Sequence, residues 1–554
     1  DVSIPINITS KPAQQPIAHF TDITEESGIY FKHINGVYGE KLLPETMGHG
    51  AAFFDYDNDN DQDLLLINGR YWAEHRPAEA NKPTTLLYQN VGKGHFKAVQ
   101  VGLELHHYGM GVAVGDYDND GWVDVYLTAL GKNYLMKNQQ GQFIDVTDNA
   151  AVSGLPEEWS TAAAFFDMDN DGDLDLFVGN YVQWSRKIDI EIDFRLTGLG
   201  RAYGAPKNFS GSNSRLYRND GNGHFTDLSK NIAVMEPHTA QPVGKALGVA
   251  LIDYDKDGLL DLFVANDTVR NFLFHNLGQG QFEEIGALEG IAFDRNGKAT
   301  GAMGIDAAWF RNDQDIGIAT GNFANEMNSL YMTADGLTPF VDEAVLEGYG
   351  PASRLALTFG IFFFDYDLDG WQDLLLANGH LEDDINQVQP SQFYAQPVQL
   401  FHQCNSCEQR FLLVEQSGDL QQPLVARAAS YADIDADGDL DVLITQTGRT
   451  SRLFRNDLKT NNHWLRLKLM GSTVNRDAIG SLIELTANGH TQRRLVMPTH
   501  SYLSQVELPV TFGLGKADRV EALKVTWPDG TEQTISVSQL DTMLILKQQE
   551  AISQ

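Results

Sequence analysis

The chain has 554 residues, 42% apolar and 10% aromatic, a globular composition, with a formal charge of −35. That charge argues against nucleic acid, whose phosphates need a basic surface. No stretch approaches the ~18 consecutive apolar residues of a membrane helix, so no membrane span is expected. A rule of roughly 150 residues per domain would divide the chain into several units. Internal repetition overrides that rule, because a repeat fold counts as one unit however long it runs. Asp1 in place of an initiator Met suits a removed signal peptide or a trimmed chain.

The recurring element is a nine-residue acidic frame with carboxylates at positions one, three, five and nine. It occurs at Asp55, Asp57, Asp59, Asp63, and again at Asp116, Asp118, Asp120, Asp124. It returns at Asp167, Asp169, Asp171, Asp175, then at Asp253, Asp255, Asp257, Asp261. Two further copies are Asp365, Asp367, Asp369, Asp373 and Asp433, Asp435, Asp437, Asp441. Carboxylates this dense repel one another, and a hard cation taking six to eight oxygens resolves the conflict; calcium is that cation. Glycine holds the sixth position in every copy but the first, where Asn60 stands, itself tolerant of positive φ. The seventh position is Asp61, Trp122, Asp173, Leu259, Trp371 or Asp439, and is expected to give only its backbone carbonyl to the ion. The two Trp there are accordingly read as packing beside the loop. A solvated acidic turn would explain one copy; the regular recurrence predicts about six Ca2+ ions. An EF-hand would need a Glu at position twelve and helical flanks. Position twelve here is Leu127, Val178 or Val264, inside apolar runs that read as buried strands.

Each frame is followed by a short apolar strand that usually ends in Asn (Asn68, Asn180, Asn266, Asn378). A strand such as Arg215-Leu-Tyr-Arg-Asn219, a Gly-rich turn and an aromatic strand beginning near Phe225 come next. Four short strands joined by tight turns give one antiparallel sheet, the size of a propeller blade. A hidden fifth repeat begins at Met303-Gly304, with Trp309, Arg311, Asp313 and Gly317 at the ligand positions, and is expected to lack calcium. The last repeat ends at Asn456 without an aromatic outer strand. His19-Phe-Thr-Asp-Ile-Thr24 matches Gln142-Phe-Ile-Asp-Val-Thr147 and should supply it, since a ring cannot tolerate an open edge. The expected architecture is all-β: a seven-bladed β-propeller with calcium-binding hairpin loops over residues 1–457, with 17–24 closing the last blade. A small all-β domain over 461–548 follows. Cys404 and Cys407, the only cysteines, replace the Gly-rich turn of the sixth repeat as a small staple or two inert thiols. Millimolar calcium outside cells favours a secreted, periplasmic or extracellular protein.

The motifs Phe-Asp-Tyr-Asp-Asn-Asp at 54–59 and Asp-Tyr-Asp-Asn-Asp-Gly at 116–121 resemble FG-GAP (VCBS) repeats of integrin-like propellers. Asn475-Arg-Asp-Ala-Ile-Gly480, Phe512-Gly-Leu-Gly515 and Trp527-Pro-Asp-Gly530 resemble the ASPIC/UnbV domain, and the pairing resembles the cartilage acidic protein family. The resemblance implies a secreted calcium-binding propeller with a role in adhesion or receptor binding, and implies no reaction.

No His-Glu-x-x-His, Gly-x-Ser-x-Gly, phosphate loop or dinucleotide fingerprint is present. His33, His49, His106, His107 and His380 read as ordinary polar residues at strand ends rather than ligands. The leading function is a binding or adhesion module for a protein or glycan partner. The alternative is an enzyme of secreted or secondary metabolism with a pocket over the central channel. Because the acidic loops join first and second strands, the long insertions at roughly 69–83, 181–212 and 379–398 must lie on the opposite face. They bring Arg70, Tyr71, Trp72, Tyr181, Trp184 and His380, with Arg270 and Phe323 nearby, as partner-binding candidates of the types enriched at hot spots.

Overall fold

The computed structural model describes residues 15–75 and 83–549. Residues 1–14 of the expected 1–457 unit and 76–82 of the 69–83 insertion lie outside the described residues. The fold is all-β. Seven sheets follow one another, each built on four strands in antiparallel succession. In the second repeat these are Gly109–Gly115, Asp124–Ala129, Tyr134–Gln139 and Gln142–Asp145. Gly115 pairs with Asp124, so the acidic loop is the hairpin between first and second strands. The first strands are almost wholly buried, Gly109–Gly115 and Thr358–Phe364 along their whole length, with Ala307 and Tyr431 half-buried in two others.

These first strands touch in cyclic order. Ala51–Phe54 neighbours Gly109–Gly115, then come Ser160–Phe166, Ala246–Ile252, Ile305–Ala308, Thr358–Phe364 and Ala426–Ala432, which returns to Ala51–Phe54. Close approach at their starts explains why Gly111, Gly248, Gly304 and Gly360 stand there. A Cβ on Gly304 would stand 2.1 Å from the Phe359 carbonyl oxygen, a distance no side chain tolerates. The seventh sheet takes its outer strand from the far end of the chain: Ile17–Asp22 runs antiparallel to Arg452–Asn456, with Phe20 opposite Asn456. On the other side of Ile17–Asp22, Gln416–Gly418 adds a short parallel edge. Cys404 and Cys407 form a disulfide across the turn of the sixth repeat.

The C-terminal part has two sheets around its own core. His463–Met470 lies between Val510–Gly515 and Thr542–Lys547. The second sheet is ordered His490–Leu495, Leu482–Ala487, Ala522–Thr526, Glu532–Thr534. Alternating residues Leu465, Leu467, Leu469 and Leu523, Val525, Trp527 face inward, the pattern expected of strands half-buried on one side.

One hairpin leaves this unit and enters the ring. Thr499–His500 and Ser504–Gln505 carry a tip, Ser501-Tyr502-Leu503, buried among the first strands. Gln505 pairs in parallel with Ala52, and Ser501 exchanges backbone hydrogen bonds with Ile305 at 3.1 and 3.3 Å. The Ser501 and Ser504 hydroxyls accept from the amides of Ile361 and Ala51, and the Gln505 amide donates to Val112 O. The Tyr502 ring meets Phe359 at 5.0 Å. Strand-edge groups around the hub, which the narrowing ring leaves without a ladder partner, are thereby hydrogen-bonded.

Candidate metal centres

All six acidic loops fold by one set of local bonds. The position-one carboxylate accepts the amides of positions five and six, as Asp116 does from Asp120 and Gly121 at 2.9 and 2.7 Å. The position-five carboxylate accepts the amide of position seven: Asp61, Trp122, Asp173, Leu259, Trp371 and Asp439 each donate in this way. The position-nine carboxylate accepts the amide of position two and a third-strand amide, as Asp63 does from Tyr56 and Asn90. Position four has positive φ in every loop: Asn58, Asn119, Asn170, Lys256, Leu368 and Ala436. This sharp turn draws the carboxylates inward, and the sequence analysis missed it because Lys, Leu and Ala do not announce that conformation.

The turn brings positions one, three and nine together. Ligand oxygens of Asp55, Asp57 and Asp63 converge within 4.8 Å, as do those of Asp116, Asp118, Asp124 and of Asp167, Asp169, Asp175. In the fourth and sixth loops the convergent sets are Asp255, Asp257, His275 and Asp367, Asp369, His402. Asp57, Asp118 and Asp169 each hold Oδ1 shielded from solvent with no hydrogen-bond partner, the state of an oxygen that awaits a cation. Burial raises Asp63 and Asp261 to about 8, and Asp167 to about 7, chiefly by desolvation. An oxygen-only cluster of this kind suits Ca2+.

The fifth loop has its own solution. Arg311, at position three, places its guanidinium 2.8 Å from Glu343, 2.5 Å from Glu347 and 3.5 Å from Asp315. A fixed organic cation thus neutralises Asp315 of the same loop and two carboxylates from the short helix that follows the outer strand. Removing one partner of such a group leaves buried charges unpaired, a loss of about 3–5 kcal/mol. Arg311→Gln should therefore lower the denaturation midpoint equally in calcium and in chelator. A loss seen only with calcium present would show that Arg311 acts through a metal.

Neighbouring loops are linked by third-strand amides. The Asn138 side chain donates to Tyr56 O of the preceding repeat at 2.8 Å, Asn219 to Tyr117 O, and Asn276 to Met168 O. Asn456 donates to Tyr366 O, and Asn90 closes the circle on Ile434 O. Thr333 and Gln403 stand in these places in the fifth and sixth repeats, and the Gln403 amide is buried without a partner.

The C-terminal unit lies on this loop face. Lys468 Nζ is 3.2 Å from Asp55 Oδ2, and Arg466 joins Asp433 at 2.7 Å while also pairing with buried Glu507. The Asp116 amide donates to Asp477, Arg493 donates to Asp313 O, and Asn462 donates to Asp367 O. Its basic side chains are thus placed against position-one carboxylates.

On the opposite face, the structure places the expected partner-binding residues as follows. Tyr181 is fully buried and donates to Asp267 at 2.6 Å. Trp72 is buried against Tyr108 and donates to Glu45 at 2.9 Å; Trp184 packs on it and donates to Asp189 at 2.8 Å. His380 is buried beside Arg427, which lowers it to about 4 together with desolvation, the larger cause. Tyr181, Trp72 and His380 are thus buried where the insertions pack onto the ring. Arg270 is half-buried, ion-paired to Glu284 and stacked over Phe272, and Phe323 is half-buried near His380. Arg70 is exposed and Tyr71 half-exposed. Among the described residues no helix is long and apolar enough to cross a membrane.

Comparison with known proteins follows this division. The FG-GAP-like repeat matches residues 55–127, 116–178, 204–264 and 253–319, and the family described as ASPIC and UnbV matches 471–553. Cartilage acidic protein 1 of Xenopus tropicalis is 24% identical over 90% of this chain and 72% of its own. The human T-cell immunomodulatory protein is 23% identical over 80% of this chain and 68% of its own. Among solved structures, a six-bladed β-propeller lectin from Aleuria aurantia aligns with a TM-score of 0.33 and 10% identity. That alignment covers 68% of this chain and 97% of the lectin. The chain belongs to the proteins that join FG-GAP-like repeats to a C-terminal ASPIC and UnbV domain.

Proposed function

We propose that the protein is an exported, calcium-loaded seven-bladed propeller (residues 1–457) capped by its C-terminal domain (461–548), and that it acts as a binding module for a protein or glycan. The buried, unpartnered third-position oxygens carry the calcium reading: Asp57, Asp118 and Asp169 have been stripped of water with nothing in its place. Seven sheets in cyclic contact support the propeller, and the Cys404–Cys407 disulfide supports an oxidising compartment. When bound, calcium supplies positive charge to each loop. The ligands would be Asp at positions one, three, five and nine with the carbonyl of position seven. The loops hold these groups in place through backbone amides.

Because the C-terminal domain packs against several of the loops, calcium is assigned a structural role and the partner surface is placed elsewhere. Arg70 and Tyr71, on the face opposite the loops, remain free to meet a partner, with Arg270 and Phe323 at its edge. The test is to probe calcium-loaded protein against panels of extracellular proteins and glycans. Saturable binding to one component, weakened by Arg70→Ala or Tyr71→Ala, is expected. No binding in either panel by the folded protein would overturn the reading.

A further inference from the structure

The six loops share their carboxylates but not the residue that faces them from the third strand. That position, just before the linking amide, holds Gln89, Lys137, Arg218, His275, His402 and Arg455. Gln89 donates to Asp57 at 2.8 Å. Lys137 pairs with Asp118 and Asp120. Arg218 and Arg455 are drawn aside by their own following acids, Asp220 at 3.0 Å and Asp457 at 2.9 Å. Four loops therefore meet a hydrogen-bond donor or a cation directed elsewhere, and none of these side chains offers a ring nitrogen to a metal.

His275 and His402 differ. His275 Nε2 lies 3.0 Å from Asp255 Oδ2; His402 Nδ1 lies 3.2 Å from Asp373 Oδ1 and 3.6 Å from Asp367 Oδ2. Both nitrogens are shielded from solvent, yet neither makes a hydrogen bond. A ring nitrogen and a carboxylate oxygen at such distances, without hydrogen-bond geometry, are two lone-pair donors converging on one point. The same arrangement arises independently in two repeats. Calcium takes oxygen ligands, whereas imidazole combined with carboxylate suits borderline transition cations such as Zn2+.

We propose that the fourth and sixth loops are mixed imidazole–carboxylate sites for a borderline divalent transition cation, their ligands being Asp255, Asp257, His275 and Asp367, Asp369, His402. The proposal rests on the reading that the loops bind cations. In calcium alone all six fill; a transition cation displaces calcium from these two.

The full chain would be saturated with calcium, dialysed against low zinc, and its bound metals counted by native mass spectrometry and elemental analysis. Two zinc ions per chain with two calcium ions released are expected. His275→Gln and His402→Gln should each remove one zinc and leave the calcium count of the zinc-free protein unchanged. Glutamine already occupies this place in the first repeat as Gln89, so the substitution suits the fold. Zinc uptake unchanged in the double variant, or zinc bound without release of calcium, overturns the proposal. Failure of the calcium reading would show separately, as no calcium bound before any zinc is added.

Discussion

Chelation of calcium is expected to unfold the protein or lower its thermal midpoint by tens of degrees. Each ion bound at a hundredfold excess over its dissociation constant stabilises the fold by about 2.7 kcal/mol. Six independent sites would sum to roughly 16 kcal/mol, at or above the whole stability of an ordinary domain, about 5–15 kcal/mol. On that count the ions would supply a large share of the folded state's stability. Thermal melts in calcium and in chelator test this, and identical midpoints would sink the structural role.

The pH dependence should reverse between the two conditions. Without metal, burial holds Asp63 and Asp261 near 8 and Asp167 near 7, all above the ordinary carboxylate range. The folded state then disfavours the charged form, a penalty absent below the unfolded value and fully present above about 8. Chelated protein should thus gain stability as pH falls from 8 toward 4. Calcium-loaded protein should lose it over the same range, because protons compete with the ion for these carboxylates. Parallel slopes in the two melts would contradict this account.

Tyr502→Ala should destabilise the ring although Tyr502 belongs to the C-terminal unit. Its side chain is fully buried in the hub, against Phe359 and beside Met47. Truncating a buried aromatic removes about 3–5 kcal/mol. The change should lower a single cooperative denaturation midpoint, because ring and cap are joined through this hairpin. Two separate transitions, with only the smaller one shifted, would show that the units fold independently. A chain ending near Asp457 should fare worse, since the amides of Ala51 and Ile361 and the carbonyl of Val112 all lose their partners.

The residues that were legible in the sequence act locally. A carboxylate two, four or eight positions from the first reaches the same turn whatever surrounds it, and Gly121 or Asn60 reports positive φ on its own. Strand, hairpin and repeat followed from the same short-range periodicities. Burial on the opposite face was not legible for the converse reason. Trp72, Tyr181 and His380 have the composition of a binding surface, and only the insertions folded over them, with Glu45 and Asp267 as partners, make them core.

The sequence by itself determined the acidic frames, the four-stranded repeat and the altered fifth loop, because each depends on contacts within a few residues. The tertiary structure alone decided what neutralises that fifth loop, since Glu343 and Glu347 lie more than thirty positions beyond Arg311. It also decided that the C-terminal unit packs against the loop face and sends Ser501-Tyr502-Leu503 into the hub. A hairpin of small, polar and apolar residues carries no local mark of its destination. The unpaired strand edges of a closed ring attract it, and those edges exist only once the ring has formed.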